Sequence, residues 1–395
     1  MITEAYIERI AGGGLLILAG LLAIFLNKKT KIPDVFFLMI IGFIAGPLLG
    51  IANPDNYSPL ILLFTSLALA FLMFWVGTTL KIGSLLSGFK TNVVFTLVAY
   101  ALTLALTFSL GSWMGFPFYS ILLIAILMSD TCPTIVNSIV KTVKVTDAGK
   151  AGMVIESALS NSLGLALFLG IYPFAQKGSF EILMVVQSIL STFSIAILLG
   201  IAFSLLWLFF TRRIKDAEQF TWLTLAGLLV LYAGVEYLHA AAPISALIFG
   251  VLISNANLVE KKIGLAPKQP PFSVALQEHV LFFIKTAFFV YMGLLFPKVI
   301  NSQLVLFAIA GLLLVGLLRF VLIKAIPGAV TKKDWILQTF AYPTGFSVVV
   351  LTFLPQSMGF TVPLLVEAII YVVIISNLMS AFAAWIHSSQ VKRTR

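Results

Sequence analysis

Long apolar segments follow one another along almost the whole chain, with only short polar stretches between them. Each segment has about 20 residues, the length that an α-helix needs to cross the hydrocarbon core of a bilayer. The pattern predicts an all-α polytopic membrane protein with about thirteen transmembrane helices. These spans are predicted at about 8–26, 35–53, 59–78, 92–114, 118–140, 150–173, 180–210, 219–237, 241–256, 274–296, 303–323, 335–355 and 363–387.

Two of the predicted spans contain residues that interrupt a helix. Span 5 carries a carboxylate, a proline and three hydroxyl side chains within residues 129–134, and span 12 carries Pro343, Thr344 and Gly345. Unpaired polar groups in hydrocarbon cost several kcal/mol, so both stretches must face protein or water. We therefore expect discontinuous helices in spans 5 and 12, and a functional site around residues 129–134.

The two interrupted spans lie seven spans apart, so they run in opposite directions through the membrane. They are the fifth members of two halves, spans 1–6 and 8–13. This layout is typical of inverted repeats, whose discontinuous helices cross near the middle of the membrane and coordinate an ion. We predict one transporter domain over 1–395, with a first repeat at 1–175, a linker helix at 176–215 and a second repeat at 216–395.

Composition and charge support a membrane protein and indicate its orientation. Of the 395 residues 60% are hydrophobic and 10% charged, which excludes a soluble globular domain. With the N-terminus outside, twenty of the 25 basic residues fall on one side of the membrane, and only Arg9, Lys177 and Lys298 fall on the other. Cytoplasmic loops are enriched in Lys and Arg, so we predict a multi-pass protein of the plasma or inner membrane with a cytoplasmic C-terminus.

The net charge of +10 does not indicate a nucleic-acid partner. The basic residues are scattered through short loops and form no stripe on a polar face. The first nine residues are acidic where a signal peptide has a basic region, so we expect the first apolar segment to be retained.

Several polar side chains are predicted near the middle of the membrane. At about 1.5 Å per residue, Asp130 and Asn161 lie level with the break at Pro343 and with Lys285. Asp130 is interpreted either as a site for a cation or a proton, or as a structural partner of Lys285 that holds spans 5 and 10 together. The Asn161 carbonyl oxygen is a suitable ligand for a hard monovalent ion.

The hydroxyl groups of Ser157 and Ser160 are further candidate ligands, although small hydroxyl residues are also ordinary packing residues in membrane helices. Glu156 and Arg319 lie at similar depths near the cytoplasmic ends of spans 6 and 11, and we expect a structural ion pair between them.

Five other titratable residues fall close to span ends, where an interfacial position is expected: Glu236, Glu278, His279, Glu367 and His387. The three histidines have no metal-ligand spacing. The sequence contains no nucleophile triad, phosphate loop or carboxylate pair, so we expect neither an enzyme nor a cofactor.

Four motifs resemble the monovalent cation/proton antiporter superfamily: residues 31–33, 42–47, 74–80 and 288–294. Their order and the thirteen-span layout agree with that family over nearly the whole chain. The resemblance implies a homodimer in the lipid bilayer, with a core of crossed discontinuous helices. It also implies the alternating-access exchange of sodium or potassium for protons.

The resemblance also assigns residues to the family's site. Residues 131–133 occupy the place of a Thr-Asp-Pro motif, and Glu156 and Ser157 match the glutamate and the following serine of span 6. Residues 160–161 fall where relatives carry Asn-Asp or a pair of acids. Arg319 is similar to the basic residue of span 11.

The sequence departs from the family at three of these positions. The span 6 aspartate is Asn161 here, the span 5 motif aspartate is Cys132, and Thr344 stands where many relatives carry a basic residue. Asparagine can ligate sodium or potassium but cannot exchange a proton. Asp130, two residues before the family's position, is therefore the best proton carrier, followed by Glu156.

The leading hypothesis is a cation/proton antiporter in which Asp130 binds a proton or a sodium or potassium ion in turn. Thr131, Ser157, Ser160, Asn161 and the backbone of both broken helices, including Pro133, would complete the site. One alternative is a symporter or facilitator of a small organic solute with the same fold, for which the missing carboxylates are no handicap. Another is a sensor or regulatory relic whose site is locked by Asp130 and Lys285.

Overall fold

A computed structural model describes residues 2–30, 32–79, 89–177, 182–262, 270, 272–326 and 333–393. All regular structure in these ranges is helical. The α-helices are α1 Ile2–Thr30, α2 Asp34–Phe43, α3 Ser58–Thr79, α4 Phe89–Trp113, α5 Phe118–Met128, α6 Pro133–Thr142, α7 Asp147–Lys177, α8 Ile182–Thr211, α9 Ala217–Tyr237, α10 Ala242–Ser254, α11 Ala256–Lys262, α12 Val274–Leu294, α13 Ser302–Ala325, α14 Trp335–Phe340, α15 Phe346–Ser357 and α16 Leu365–Arg393.

The helices confirm an all-α membrane fold. Within the described ranges, eight helices are long and apolar enough to cross a membrane, and four shorter apolar helices accompany them. A short π-helix, Ile44–Leu48, continues α2 past Pro47. Each predicted span coincides with one helix or with a pair of half-helices. The number of membrane crossings stays a prediction.

Both expected interruptions are present, and prolines mark them. The first lies between α5 and α6, where Cys132 is extended and Pro133 opens α6. Proline suits the first helical position because the N–H it lacks has no partner within the helix there. The second lies between α14 and α15, where Pro343 precedes an extended Gly345. The prediction of two discontinuous helices is confirmed.

The two interruptions touch each other. The Cys132 N–H donates a hydrogen bond of 2.8 Å to the carbonyl oxygen of Pro343. A Cβ atom on Gly345 would lie only 2.7 Å from the Cβ of Cys132, so glycine is needed at this approach. The breaks therefore cross as the sequence predicted.

The described residues form two compact units. One comprises those within 1–62, 90–168 and 283–395, and the other those within 63–89 and 169–282. Both interruptions belong to the first unit. The predicted boundaries of the two repeats and of the linker helix stay predictions.

In each unit two helices cross closely at a pair of glycines. Small residues of this kind let the backbones of membrane helices approach each other. In the first unit Gly42 of α2 meets Gly293 of α12, and in the second Gly77 of α3 meets Gly250 of α10. At all four glycines, an added Cβ would collide with the carbonyl group three residues before the partner glycine. The two crossings have the same geometry. If the repeats are inverted, span 2 is equivalent to span 9 and span 3 to span 10, so the contact between spans 2 and 10 should recur between spans 9 and 3.

Candidate functional site

Asp130 lies at the centre of a buried polar cluster in the first break. Its side chain is 2% exposed. The amide nitrogen of Asn161, on α7, donates to both carboxylate oxygens at 3.3 and 3.0 Å. The hydroxyl of Ser347, in the first turn of α15, donates to Oδ2 at 2.7 Å. Three separate helical segments therefore meet at one carboxylate.

Two hydroxyl residues of α7 support the same break. The Thr131 N–H, freed by the interruption of the helix, donates to Ser160 Oγ at 3.2 Å. Ser157 is 1% exposed, and its hydroxyl donates to the Val154 carbonyl of its own helix at 3.1 Å. The structure thus brings four of the five predicted ion-site residues together, and the Ser160 hydroxyl donates to the carbonyl of the fifth, Ser157, at 3.4 Å.

The orientation of Asn161 leaves an oxygen unused. Its Nδ2 donates to Asp130 and, at 2.5 Å, to Ser347, which fixes the amide in one orientation. Its Oδ1 is buried and accepts no hydrogen bond from any part of the chain that the structure describes. The Asp130 carboxylate, the Asn161 amide oxygen and the serine hydroxyls are hard oxygen groups of the kind that bind sodium or potassium.

Cys132 lies at the crossing of the breaks. It is 1% exposed, and its Sγ is 3.0 Å from the Thr134 hydroxyl. It also faces Gly345, which has no side chain.

The second break is held by two neighbouring residues of α16 that the sequence analysis missed. The Thr344 N–H donates to Ser376 Oγ at 3.2 Å, and the two hydroxyls lie 2.6 Å apart. The Asn377 amide donates to the Thr344 carbonyl at 2.9 Å. A Ser-Asn pair in span 13, matching residues 160–161 of span 6, was the signal available in the sequence.

The predicted ion pair between Glu156 and Arg319 is confirmed. The carboxylate and guanidinium lie 2.5 Å apart, at 7% and 5% exposure. Arg319 also donates twice to the Gln338 carbonyl, at 3.0 and 2.8 Å, and so caps the C-terminal end of α14. Its guanidinium lies 5.2 Å from the ring centre of Tyr342. The pair therefore stabilises the end of α14, which leads into the second break.

The alternative interpretation of Asp130 as a structural partner of Lys285 is wrong. Lys285 lies 2.5 Å from the carboxylate of Asp34, at the start of α2. The depth of a residue in the membrane is readable from its sequence position, but the direction in which the helix points it is not. The similar depths of Lys285 and Asp130 did not bring them together.

His387, expected near the membrane interface, is buried within the protein at the end of α16. Its side chain is 1% exposed, and Nε2 lies 3.0 Å from the Lys144 carbonyl and 3.7 Å from Asp334. Asp334 also accepts a hydrogen bond of 3.2 Å from the Thr146 N–H. This buried network forms because the end of α16 packs against the loop before α7. Glu236, Glu278 and His279 are exposed.

This polar crossing lies within a chain whose sequence matches a known family. The model of the transmembrane sodium/hydrogen exchanger family matches residues 15–387. The chain belongs to this family. This is a family of membrane transporters and not of enzymes, and the long apolar helices make the chain a multi-pass membrane protein.

The chain is similar to a curated protein, the K(+)/H(+) antiporter subunit KhtU of Bacillus subtilis (strain 168), at 23% identity over 260 residues. The match covers 62% of this chain, and the chain spans only 62% of the length of that protein.

Two solved structures of the sodium proton antiporter MjNhaP1 from Methanocaldococcus jannaschii share the fold. One, at pH 8, has a TM-score of 0.77 at 18% identity and covers 98% of this chain and 97% of its own. The other, from an electron-microscopy map, has a TM-score of 0.68 at 18% identity. It covers 98% of this chain and 96% of its own.

Proposed function

We propose that this exchanger moves sodium or potassium against protons by alternating access, and that Asp130 binds the proton and the cation in turn. The observation that carries the proposal is the buried Asp130 carboxylate where the two broken helices cross, held by Asn161 and Ser347. Membership of the family indicates the exchange reaction, and the polar groups at the crossing of the broken helices indicate where the ion binds.

The charges around the crossing favour Asp130 over Glu156. Glu156 is neutralised by Arg319 whether or not an ion is present. Asp130 has no cationic partner among the residues that the structure describes. A buried charge without a partner is costly, so this carboxylate favours occupation by either a proton or a cation. Competition between the two for one carboxylate is the basis of exchange.

The shell around the cation follows from the oxygens at the break. Asn161 Oδ1, the hydroxyls of Ser347, Ser160 and Thr131, and freed backbone groups would bind an ion together with Asp130, and Ser157 would support them. Asn161 stands where the family resemblance placed an aspartate, so the site carries one negative charge. One charge favours the exchange of one cation for one proton.

The wider arrangement of the protein is also proposed. The basic loops support an external N-terminus and a cytoplasmic C-terminus in the plasma or inner membrane. The family resemblance supports a homodimer in lipid. The matching glycine crossings support a single domain of two inverted repeats, 1–175 and 216–395, joined by a linker helix at 176–215 that contains α8.

No observation favours the two alternative functions. The regulatory relic required Lys285 to lock Asp130, but Lys285 is bound to Asp34. The symporter or facilitator of an organic solute finds no support in the family match.

Exchange in proteoliposomes tests the proposal. With an imposed pH gradient and a pH-sensitive dye inside the vesicles, wild type should dissipate the gradient on addition of sodium or potassium, and not of choline. Asp130→Asn should abolish this response, whereas Asp147→Asn, at an exposed position on α7, should keep it. Exchange by Asp130→Asn at the wild-type rate would remove Asp130 from the mechanism.

A further inference from the structure

The two broken helices are supported by the same hydrogen bond in each repeat. The Thr131 N–H donates to Ser160 Oγ at 3.2 Å, and the Thr344 N–H donates to Ser376 Oγ at 3.2 Å. In both helices an asparagine follows the serine and binds the break through its amide nitrogen. The cluster on α16 is thus a second copy of the cluster on α7.

The two copies differ in charge. Asp130 precedes Thr131 in the first break, whereas Pro343 precedes Thr344 in the second. The second copy therefore consists of neutral oxygen and nitrogen groups. It is equally buried, since Thr344 is 0% and Asn377 1% exposed.

Asn377 holds an unused oxygen in this second cluster. Its Nδ2 donates to the carbonyl groups of Thr344 and Val373, at 2.9 and 2.7 Å, which sets the orientation of the amide. Its Oδ1 is buried and accepts no hydrogen bond from the residues in the described ranges. A buried carbonyl oxygen without a donor is unfavourable, and such an oxygen can accept a hydrogen bond from water or ligate a cation.

We propose that Thr344, Ser376 and Asn377 form a second, uncharged position for a dehydrated monovalent cation. The ligands would be Asn377 Oδ1, the two hydroxyls and backbone carbonyl groups of the break. Neutral oxygens of this kind replace the hydration shell of sodium or potassium in membrane proteins. The inference rests on the proposed function only in taking such a cation as the cargo.

The location of the second cation position suggests its role in transport. The hydrogen bond between the Cys132 N–H and the Pro343 carbonyl joins the two breaks, so both positions border one helix crossing. A cation displaced from Asp130 by a proton would find uncharged ligands at the neighbouring break. Binding without a carboxylate is weak enough for the cation to leave again.

Thermal unfolding of the purified full-length protein tests the inference, because a ligand that binds the folded state raises the melting temperature. The measurement uses Asp130→Asn, which lacks the charged position, in sodium, potassium or choline chloride at equal ionic strength. We expect sodium or potassium to raise its melting temperature above that in choline. Adding Thr344→Val, which removes a hydroxyl and keeps the shape, should abolish the rise.

Two further variants control the result. Asn377→Leu in the Asp130→Asn background should also abolish the rise, and Thr344→Val decides alone if Asn377→Leu does not fold. Thr352→Val should retain it, because the buried Thr352 hydroxyl donates to the Val348 carbonyl of its own helix and contacts none of the three proposed residues.

Equal melting temperatures of Asp130→Asn in all three salts would mean that water alone fills the cluster and would overturn the inference. A rise that survives Thr344→Val would place the cation elsewhere and would overturn it as well. Either result leaves the proposed function standing, since that function is measured separately by the loss of exchange in Asp130→Asn.

Discussion

Ser347 of the second broken helix donates a hydrogen bond of 2.7 Å to Asp130 of the first. The same hydroxyl accepts one of 2.5 Å from Asn161. The acid at the crossing therefore depends on a side chain 217 positions away along the chain. Any movement of α15 relative to the first break changes the surroundings of this carboxylate directly.

Removing that hydroxyl should weaken cation binding. A hydrogen bond to a charged group contributes about 1.5–3 kcal/mol, and tenfold in affinity corresponds to about 1.4 kcal/mol. For Ser347→Ala we expect the cation concentration at half-maximal exchange to rise by roughly 10- to 100-fold. Ser357→Ala, at the other end of α15, should leave it unchanged, because that hydroxyl donates to its own helix. An unchanged value for Ser347→Ala would exclude Ser347 from the site.

Breaking the ion pair below the second break should destabilise the protein. Arg319→Met leaves Glu156 buried without a partner, which costs about 3–5 kcal/mol, and frees the Gln338 carbonyl. We expect a lower melting temperature and a lower yield. Adding Glu156→Gln should recover part of the lost stability, since it removes the unpaired negative charge. A double variant no more stable than Arg319→Met would argue against this account.

A side chain at Gly345 should disturb the crossing. In Gly345→Ala the new methyl group would collide with Cys132, and overpacking of this kind costs about 1–3 kcal/mol. The melting temperature should fall, and Cys132→Gly should restore part of it. Gly234→Ala on α9 should have little effect, because no atom lies within 4 Å of the added Cβ. Normal stability of Gly345→Ala would contradict the close approach.

Lys285 should not control access to Asp130. Because it is bound to Asp34, Lys285→Met should lower stability without increasing exchange or the apparent cation affinity. Asp34→Asn together with Lys285→Met should be less destabilised than Lys285→Met alone. Faster exchange in Lys285→Met would contradict this and would support the hypothesis that Lys285 locks the site at Asp130.

The fold was predictable because a bilayer imposes simple rules on a sequence. Apolar length located the helices, and Asp130 with Pro133 in one span and Pro343 with Gly345 in another located the breaks. The ion pair of Glu156 and Arg319 was also predicted from their opposite charges and similar depth, although the same reasoning failed for Asp130 and Lys285.

The remaining features depend on the direction of side chains around each helix, which hydropathy does not record. Lys285 was predicted at the depth of Asp130, but it pairs with Asp34 at the start of α2. Ser347 and Asn377 are small polar residues in apolar helices, where packing is an equally good explanation until the partners are known. His387 lies near a helix end, yet loop packing buries it.

The central claim is that one carboxylate binds both the proton and the cation. Its most direct test is the release of protons when sodium or potassium is added to the purified protein in weak buffer, since ligands must lose their protons to bind a cation. We predict release approaching about one proton per chain in wild type and in Asp147→Asn, and none in Asp130→Asn. The same release from Asp130→Asn as from wild type would contradict the account.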